Sequence, residues 1–483
     1  MAAVESSSGE AHSLRRPLGL RDLVLTQILC VVGSSWVGVA ASLGRAQTLT
    51  WVAAMLLFYV PMAASVIGLN GKMPLEGGLY VWAYKAFGDL VGFLTAWNIW
   101  VYGIAVTATI LYALPTELAY LIGPPAAWLP ENHAASLGIV SLVLAGLTAA
   151  ALRGLELGKW IHNTGGVAML VVFAALIVLP LWAIVHHVPV HWTPFSVGIP
   201  PTNLRTLALF GQMMFGALCG LEYVAILAGE SQHPGDSIGK SVWISSPIIC
   251  AMFILGTGSV VAFVPHAQID FIAPIPQTLR AALGKSGWGS LLAVTAIFLV
   301  ELRLLGAASF IFTGATRLPM AAGWNHLVPG WFSQLHPRWK TPANSIMFAS
   351  ALVFLMIVLA SIGVRAQEAF QLLSNASLTH YEIAYLAMFA IPLGGHAALR
   401  ESLPRWLRWT SIVGLCATAL SLLISAYPFV TVVNANAYAA KILGTIVLSN
   451  VAGICFYRMR SRATVVQRSA VPKAARAQID DAL

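Results

Sequence analysis

The chain has 483 residues, of which 58% are hydrophobic and only 9% are charged, and its mean hydropathy is +0.79. Soluble domains average about 25% charged residues, so this composition excludes a water-soluble globule. The net charge of +9 does not indicate nucleic-acid binding, because Lys and Arg occupy short loops and the two tails instead of a basic stripe with interleaved aromatic residues.

Long apolar segments dominate the sequence. A bilayer core of roughly 30 Å requires about 20 apolar residues per helix, and unpaired backbone groups cannot face lipid, so each segment is predicted to be a helix. We therefore predict an all-α polytopic membrane protein of about twelve transmembrane helices. The approximate spans, numbered here as segments 1 to 12, are 23–43, 50–69, 88–116, 135–152, 161–185, 204–228, 242–264, 288–316, 344–362, 370–393, 408–427 and 437–457.

The orientation follows from the basic residues, which gather in alternate loops and in both tails. Cytoplasmic loops carry the excess of Lys and Arg in membrane proteins, so both termini are predicted to be cytoplasmic. The first 20 residues lack the apolar run of a cleavable signal peptide, and we expect this tail to remain attached. The expected location is the cytoplasmic (plasma) membrane.

Segments 1 and 6 are interrupted by small and polar residues, at Gly33–Gly38 and at Phe215–Glu222. Gly-interrupted segments at corresponding positions of two halves indicate an inverted repeat with a binding site near the bilayer midplane. Close helix packing through small residues is the alternative, and for one segment alone it is the better interpretation. The matched pair, five helices apart, favours the site.

Four stretches carry a resemblance to a known family. They are Gly33-Ser34-Ser35 in segment 1, Pro74-Leu75-Glu76-Gly77-Gly78-Leu79-Tyr80 before segment 3, Phe215–Glu222 with the following Glu230 and His233-Pro234, and the loop from Arg317 to Pro342. Together they resemble the amino acid/polyamine/organocation permease superfamily, whose fold is the five-plus-five inverted repeat of the leucine-transporter type.

That resemblance implies a division of the chain into two repeats, broken at segments 1 and 6, and two further helices. The expected parts are a cytoplasmic N-terminal tail (1–20), a first repeat (21–200), a second repeat (201–400), segments 11 and 12 (401–458) and a basic cytoplasmic C-terminal tail (459–483).

The sequence departs from the family pattern at two positions. Ser35, followed by the large Trp36, stands where members commonly carry a second glycine. Met169 matches the place where some members carry a lysine in segment 5 in place of a sodium ion. Coupling to an ion must therefore be argued from other charges.

The predicted substrate site lies between the two interruptions. Backbone amides at Gly33, Ser34 and Ser35 precede the positive end of a half-helix, which suits a carboxylate. Carbonyls freed in segment 6 suit an ammonium group, and the resemblance implies the same division. The predicted substrate-binding residues are Gly33, Ser34, Ser35, Trp36, Phe215, Gly216, Ala217 and Gly220, with Trp36 and Phe215 as candidate gates. The serines could instead hydrogen-bond within their own helix.

Five ionisable residues lie within the segments or at their boundaries: Glu117, Glu222, Glu301, Arg303 and Glu382. Such residues are costly in a membrane and are functional candidates by default. Glu117 lies near the end of segment 3 and is predicted to reach water. The other four are candidates for coupling or gating, led by Glu222. Arg303 could pair with Glu222 or Glu382 across the core, or with backbone carbonyls. A fixed buried ion network is the alternative for Glu301, Arg303 and Glu382.

Trp97 and Trp100 in segment 3 are predicted to be packing residues, and the histidines at 186, 187 and 191 to be solvated. We find no catalytic constellation, cofactor signature or metal-ligand spacing and predict no enzyme, cofactor or metal site. The expected function is a secondary active transporter for amino acids or related amines, by proton coupling or exchange, with a small-molecule substrate and the lipid bilayer as partners. The alternatives are a polyamine transporter and a non-transporting nutrient sensor; the sequence sets no oligomeric state.

Overall fold

The structure is a computed structural model that describes residues 19–73, 78–188, 190, 197–222, 234–284, 287–321, 331–332 and 334–470. Within those ranges every regular element is a helix and no strand occurs. The α-helices are α1 (Leu20–Val31), α2 (Ser34–Ala41), α3 (Gln47–Ala54), α4 (Val60–Lys72), α5 (Leu79–Phe87), α6 (Asp89–Ile122), α7 (His133–Arg153), α8 (Leu155–Val185), α9 (Leu204–Gln212), α10 (Pro234–Phe263), α11 (Pro274–Leu283), α12 (Gly287–Ala321), α13 (Ala343–Ser361), α14 (Ala366–Gly394), α15 (Ala397–Ser402), α16 (Arg405–Ile424) and α17 (Ala435–Ala470).

Nine helices in the described part of the chain are long and apolar enough to cross a membrane. The other three predicted segments also contain helix in their described residues, but they lie outside that set for identifiable reasons. Segments 1 and 6 are broken, and α14 carries many polar residues along its 29 residues. The protein is therefore an all-helical integral membrane protein. The last helix continues to Ala470, beyond the predicted end of segment 12 at 457.

Glycine and asparagine set several helix ends. Gly88 separates α5 from α6 and Gly154 separates α7 from α8, each with a positive φ (87° and 109°) that L side chains rarely adopt. Asn132 and Asn203 cap α7 and α9, because each side-chain oxygen accepts a hydrogen bond from the third following amide. The sequence thus places short, defined corners between the long apolar helices.

The packing places α14 at the centre. It lies against α6 on one side and α16 on the other, while α12 packs between α6 and α8. The helix α1 lies against α10, and α2 contacts α10, α11 and the second broken segment. Both broken segments are consequently inside the bundle, where protein and not lipid surrounds the irregular backbone.

Candidate functional site

Segment 1 is broken at Val32 and Gly33. The helix α1 ends at Val31, Gly33 is extended (φ −112°, ψ 148°), and α2 begins at Ser34 with no side-chain cap. The sequence predicted a break within Gly33–Gly38, but in the structure only Gly33 of that stretch is non-helical, because Ser34 and Ser35 form the first turn of α2. The amides of a first helical turn have no partner within the helix, and they carry its positive end.

Segment 6 loses its regular α-helical structure over a longer stretch than segment 1 does. A π-helical turn, Met213–Ala217, follows α9, and the backbone from Leu218 to Glu222 is irregular. The carbonyl of Phe215 accepts a hydrogen bond from the Cys219 thiol at 2.6 Å, so one of the carbonyls predicted to be free is occupied. Gly220 has a φ of 114°, which favours glycine at this bend.

Trp36 joins the two breaks. A Cβ atom on Gly216 would lie 2.4 Å from the Trp36 ring, and one on Gly33 would lie 2.6 Å from the opposite edge of the same ring. Phe215, beside Gly216, packs on Phe58 with the ring centroids 4.3 Å apart. The structure therefore brings the predicted residues of segments 1 and 6 together around one indole, and the glycines are what make room for it.

Glu222 is 3% exposed and lies at the end of the irregular stretch. Its Oε2 accepts hydrogen bonds from the Gly220 amide at 3.2 Å and from the Tyr385 hydroxyl of α14. Oε1 has no hydrogen-bond partner in the described structure. The sequence left open a pairing of Glu222 with Arg303; the hydrogen bonds of this carboxyl instead go to α14 and to its own turn.

Arg303 of α12 faces the first break. Its Nη1 donates to the Ser34 hydroxyl at 2.8 Å, and a Cβ on Gly33 would lie 3.8 Å from its Nη2. Glu301 is buried two residues earlier, with an Oε1 that accepts no hydrogen bond from any described group. Residues two apart point to different helix faces, so the guanidinium and this carboxyl are not a local pair.

The prediction that Glu117 reaches water is wrong. Glu117 is 0% exposed, and neither carboxylate oxygen has a hydrogen-bond partner among the described residues. The reason is that α6 continues to Ile122 and its end is covered: Arg280 of α11 donates to the carbonyls of Tyr120 and Leu121 at 2.9 and 2.8 Å. Glu117 lies within electrostatic range of Glu301 and Arg303.

Glu382 of α14 faces α16. Its Oε1 accepts a hydrogen bond from Ser421 of α16 at 2.6 Å, and it is 2% exposed. Tyr385, one turn further along α14, is the residue that the sequence analysis missed, since a tyrosine in an apolar helix is typical of packing. The sequence did contain one signal: Tyr385 lies three residues after Glu382, which places the two side chains next to each other on a helix surface.

The prediction for the segment 3 tryptophans is confirmed. The Trp97 indole donates to the Ser449 carbonyl at 3.0 Å, and Trp100 stacks on Phe348, so both join α6 to other helices. Met169 is buried in the core.

Several positions of the resemblance, together with one predicted solvated histidine, lie outside the described residues: 74–77, 230, 233, 322–330 and 191.

An all-helical bundle with two broken helices meeting inside it is typical of membrane transporters. Residues 23–459 match the family model described as amino acid permease, so the chain belongs to that family.

Characterised and uncharacterised relatives agree with this class. An uncharacterized transporter of Legionella pneumophila is 26% identical over 416 residues, covering 83% of this chain and 85% of the relative. The branched-chain amino acid permease BcaP of Bacillus subtilis is 25% identical, covering 73% and 76%. The probable agmatine/putrescine antiporter AguD of Lactococcus lactis is 24% identical, covering 78% of each chain.

Proposed function

We propose that this protein moves amino acids or related amines across the plasma membrane by alternating access, with both termini in the cytoplasm. The single observation that carries the proposal is the meeting of the two breaks: Gly33 and Gly216 lie against the same Trp36 ring. The first turn of α2 and the irregular backbone after α9 therefore lie near one ring. Amides of a first helical turn suit a carboxylate, and irregular backbone carbonyls suit an amine. The named relatives include both a permease for amino acids and an antiporter for amines.

Ser34 provides the most direct test of the carboxylate end. Ser34→Leu crowds the first turn of α2, and we expect it to abolish uptake of labelled amino acids in proteoliposomes. Ser34→Ala removes the hydroxyl that Arg303 contacts but leaves the space and the backbone amides, so substrate binding should persist. Ser141→Leu is the matched control, since Ser141 lies on α7 and bonds only to its own helix.

Unchanged substrate affinity in a folded Ser34→Leu protein would show that α2 is not part of the substrate site. A wild-type protein that binds amino acids but moves none of them would instead favour the nutrient sensor.

Coupling to protons is proposed for Glu222, because its carboxyl is buried at the end of the second break and is held by a hydroxyl of α14. A carboxyl removed from water favours its neutral form and can exchange a proton when the site opens. Glu222→Gln should retain substrate exchange, which needs no net proton movement, and lose accumulation driven by a proton gradient. Equal accumulation by the variant and the wild type would exclude this role.

A further inference from the structure

A narrow cavity lies between α9, α14 and α16, away from the Trp36 ring. Polar side chains line much of it, and they come from all three helices: Gln212, Asn375, Thr379, Glu382 and Ser421. Its free space suits a water molecule and not an amino acid.

Glu382 lines the cavity, and only one of its two carboxylate oxygens accepts a hydrogen bond from a described residue. Ser421 donates to Oε1 of Glu382 at 2.6 Å, whereas the buried Oε2 has no hydrogen-bond partner among the residues that the structure describes. A buried unpaired carboxylate oxygen is costly unless it carries a proton or meets water. Thr379 donates to the Ala376 carbonyl and retains lone pairs that can hold a water in the same space.

The cavity has an access side. Ser425, Tyr427 and Phe429, at the end of α16 and in the loop that follows it, line the cavity. Tyr427 is 39% exposed, so this end lies near the surface of the bundle. The other polar side chains of the cavity are joined: Gln212 donates to Asn375 at 2.5 Å, and Asn375 donates to the Tyr438 hydroxyl at 2.7 Å.

The helix α14 carries both Glu382 and the tyrosine hydroxyl that contacts the proposed coupling residue, Glu222. Glu382 and Tyr385 are three residues apart on α14, so their side chains are neighbours on its surface. The Tyr385 hydroxyl donates to Glu222, and a tyrosine hydroxyl can accept one proton as it gives up another.

The remaining titratable groups near Glu382 are the phenols of Tyr427 and Tyr438, and His380 on the same helix. His380 is turned toward α17, where its Nε2 lies 2.5 Å from the Ser449 hydroxyl. The described residues that line the cavity include no Lys or Arg. Glu382 therefore has no basic side chain in the cavity to hold it as a permanent anion.

We propose that Glu382 is a second proton-exchanging carboxyl, hydrated through this cavity, that supplies Glu222 with its proton. A hydronium ion that reaches the cavity gives a proton to Oε2 of Glu382 and leaves as water. Glu382 then passes a proton to the Glu222 carboxylate, either through water or through the Tyr385 hydroxyl, which accepts one proton as it gives up its own. Glu382 is left as the carboxylate until another hydronium ion protonates it. This inference rests on the proposed role of Glu222 in transport, although proton exchange at Glu382 can be measured without transport.

Infrared difference spectroscopy across a pH change tests the exchange itself, through the carbonyl band of a protonated carboxyl. The expected result is a titrating band that Glu382→Gln removes. Glu368→Gln is the matched control, since Glu368 is a buried carboxyl of the same helix that accepts from the Val433 amide at 2.9 Å outside the cavity; it should leave the band in place. A band unchanged in Glu382→Gln would overturn the proposal.

Proton-driven uptake tests the path. Ala208→Met places a long side chain in the cavity and leaves Glu382 intact, so it also covers the case in which Glu382→Gln fails to fold. Both variants should lose proton-driven accumulation and retain exchange, whereas Ala419→Met, on α16 outside the lining, should retain both. Wild-type accumulation by Ala208→Met and Glu382→Gln would refute the relay. A wild-type protein that transports no amino acid or amine would refute the proposed function instead, and the infrared result would still decide whether Glu382 exchanges a proton.

Discussion

The contact between Gly216 and Trp36 leads to a quantitative prediction. Gly216→Ala would place a Cβ 2.4 Å from two atoms of the indole, whereas carbon atoms pack at roughly 3.5–4.0 Å, so about 1 Å of movement is required. The ring cannot simply retreat, because its other edge lies against Gly33. Overpacking of this kind costs about 1–3 kcal/mol, and we expect the free energy of unfolding to fall by that amount.

The assay is reversible unfolding in mixed micelles titrated with a denaturing detergent. Gly314→Ala is the control: Gly314 is also helical, but no atom lies within 4 Å of its added Cβ, so the substitution should be neutral or stabilise by about 0.5–1 kcal/mol. Adding Trp36→Leu to Gly216→Ala should recover part of the loss, since the clash is then removed. If Gly216→Ala behaved like Gly314→Ala, or if the double variant were merely additive, the packing of the two breaks on Trp36 would be wrong.

Three further predictions concern polar groups around the breaks. Tyr385→Phe removes the hydroxyl donor of Glu222 and should lower the free energy of unfolding by about 0.5–1.5 kcal/mol, as for a hydrogen bond to a neutral carboxyl; a loss near zero would contradict the hydrogen bond. Arg303→Gln removes the charged donor that holds the Ser34 hydroxyl and should destabilise by about 1.5–3 kcal/mol, and adding Ser34→Ala should then cost little more; two losses that add in full would contradict the hydrogen bond. Burial raises the pKa of Asp270, while hydrogen bonds from the amides of Ile272 and Ala273 lower it by less. The stability that this carboxyl contributes is therefore present at low pH and is lost as the pH rises above the ordinary pKa of an aspartate. Asp270→Asn should flatten this decline in melting temperature with pH, and an unaltered pH profile would exclude the effect.

The helices and the two breaks follow from local sequence, but their exact limits do not. Long charge-free runs predict helices because lipid offers no partner for the backbone, and paired glycines indicate where helices 1 and 6 lose regularity. Where the helix resumes is decided by tertiary contacts. Ser34, in the first turn of α2, is contacted by Arg303 from α12, which is 269 residues away in the sequence and could not be paired with it from local pattern.

The side-chain partners were the least predictable part. Glu117 looked able to reach water because segment 3 seemed to end beside it, yet the helix runs further and Arg280 of α11 closes its end. Arg303 had two candidate carboxylate partners in the sequence and donates to a serine instead. Pairings across a helical bundle depend on rotation and depth of each helix, which apolar periodicity does not determine.

The most direct test of the central claim is counterflow in proteoliposomes. Vesicles containing the purified protein and loaded with unlabelled amino acid are diluted into trace labelled amino acid, in parallel with vesicles containing Ser34→Leu and with protein-free vesicles. We predict transient accumulation of label in the wild-type vesicles, none in the other two, and inhibition by other substrates added outside. Saturable binding of amino acids and amines to the wild-type protein, with no entry of label for any of them, would contradict a transporter.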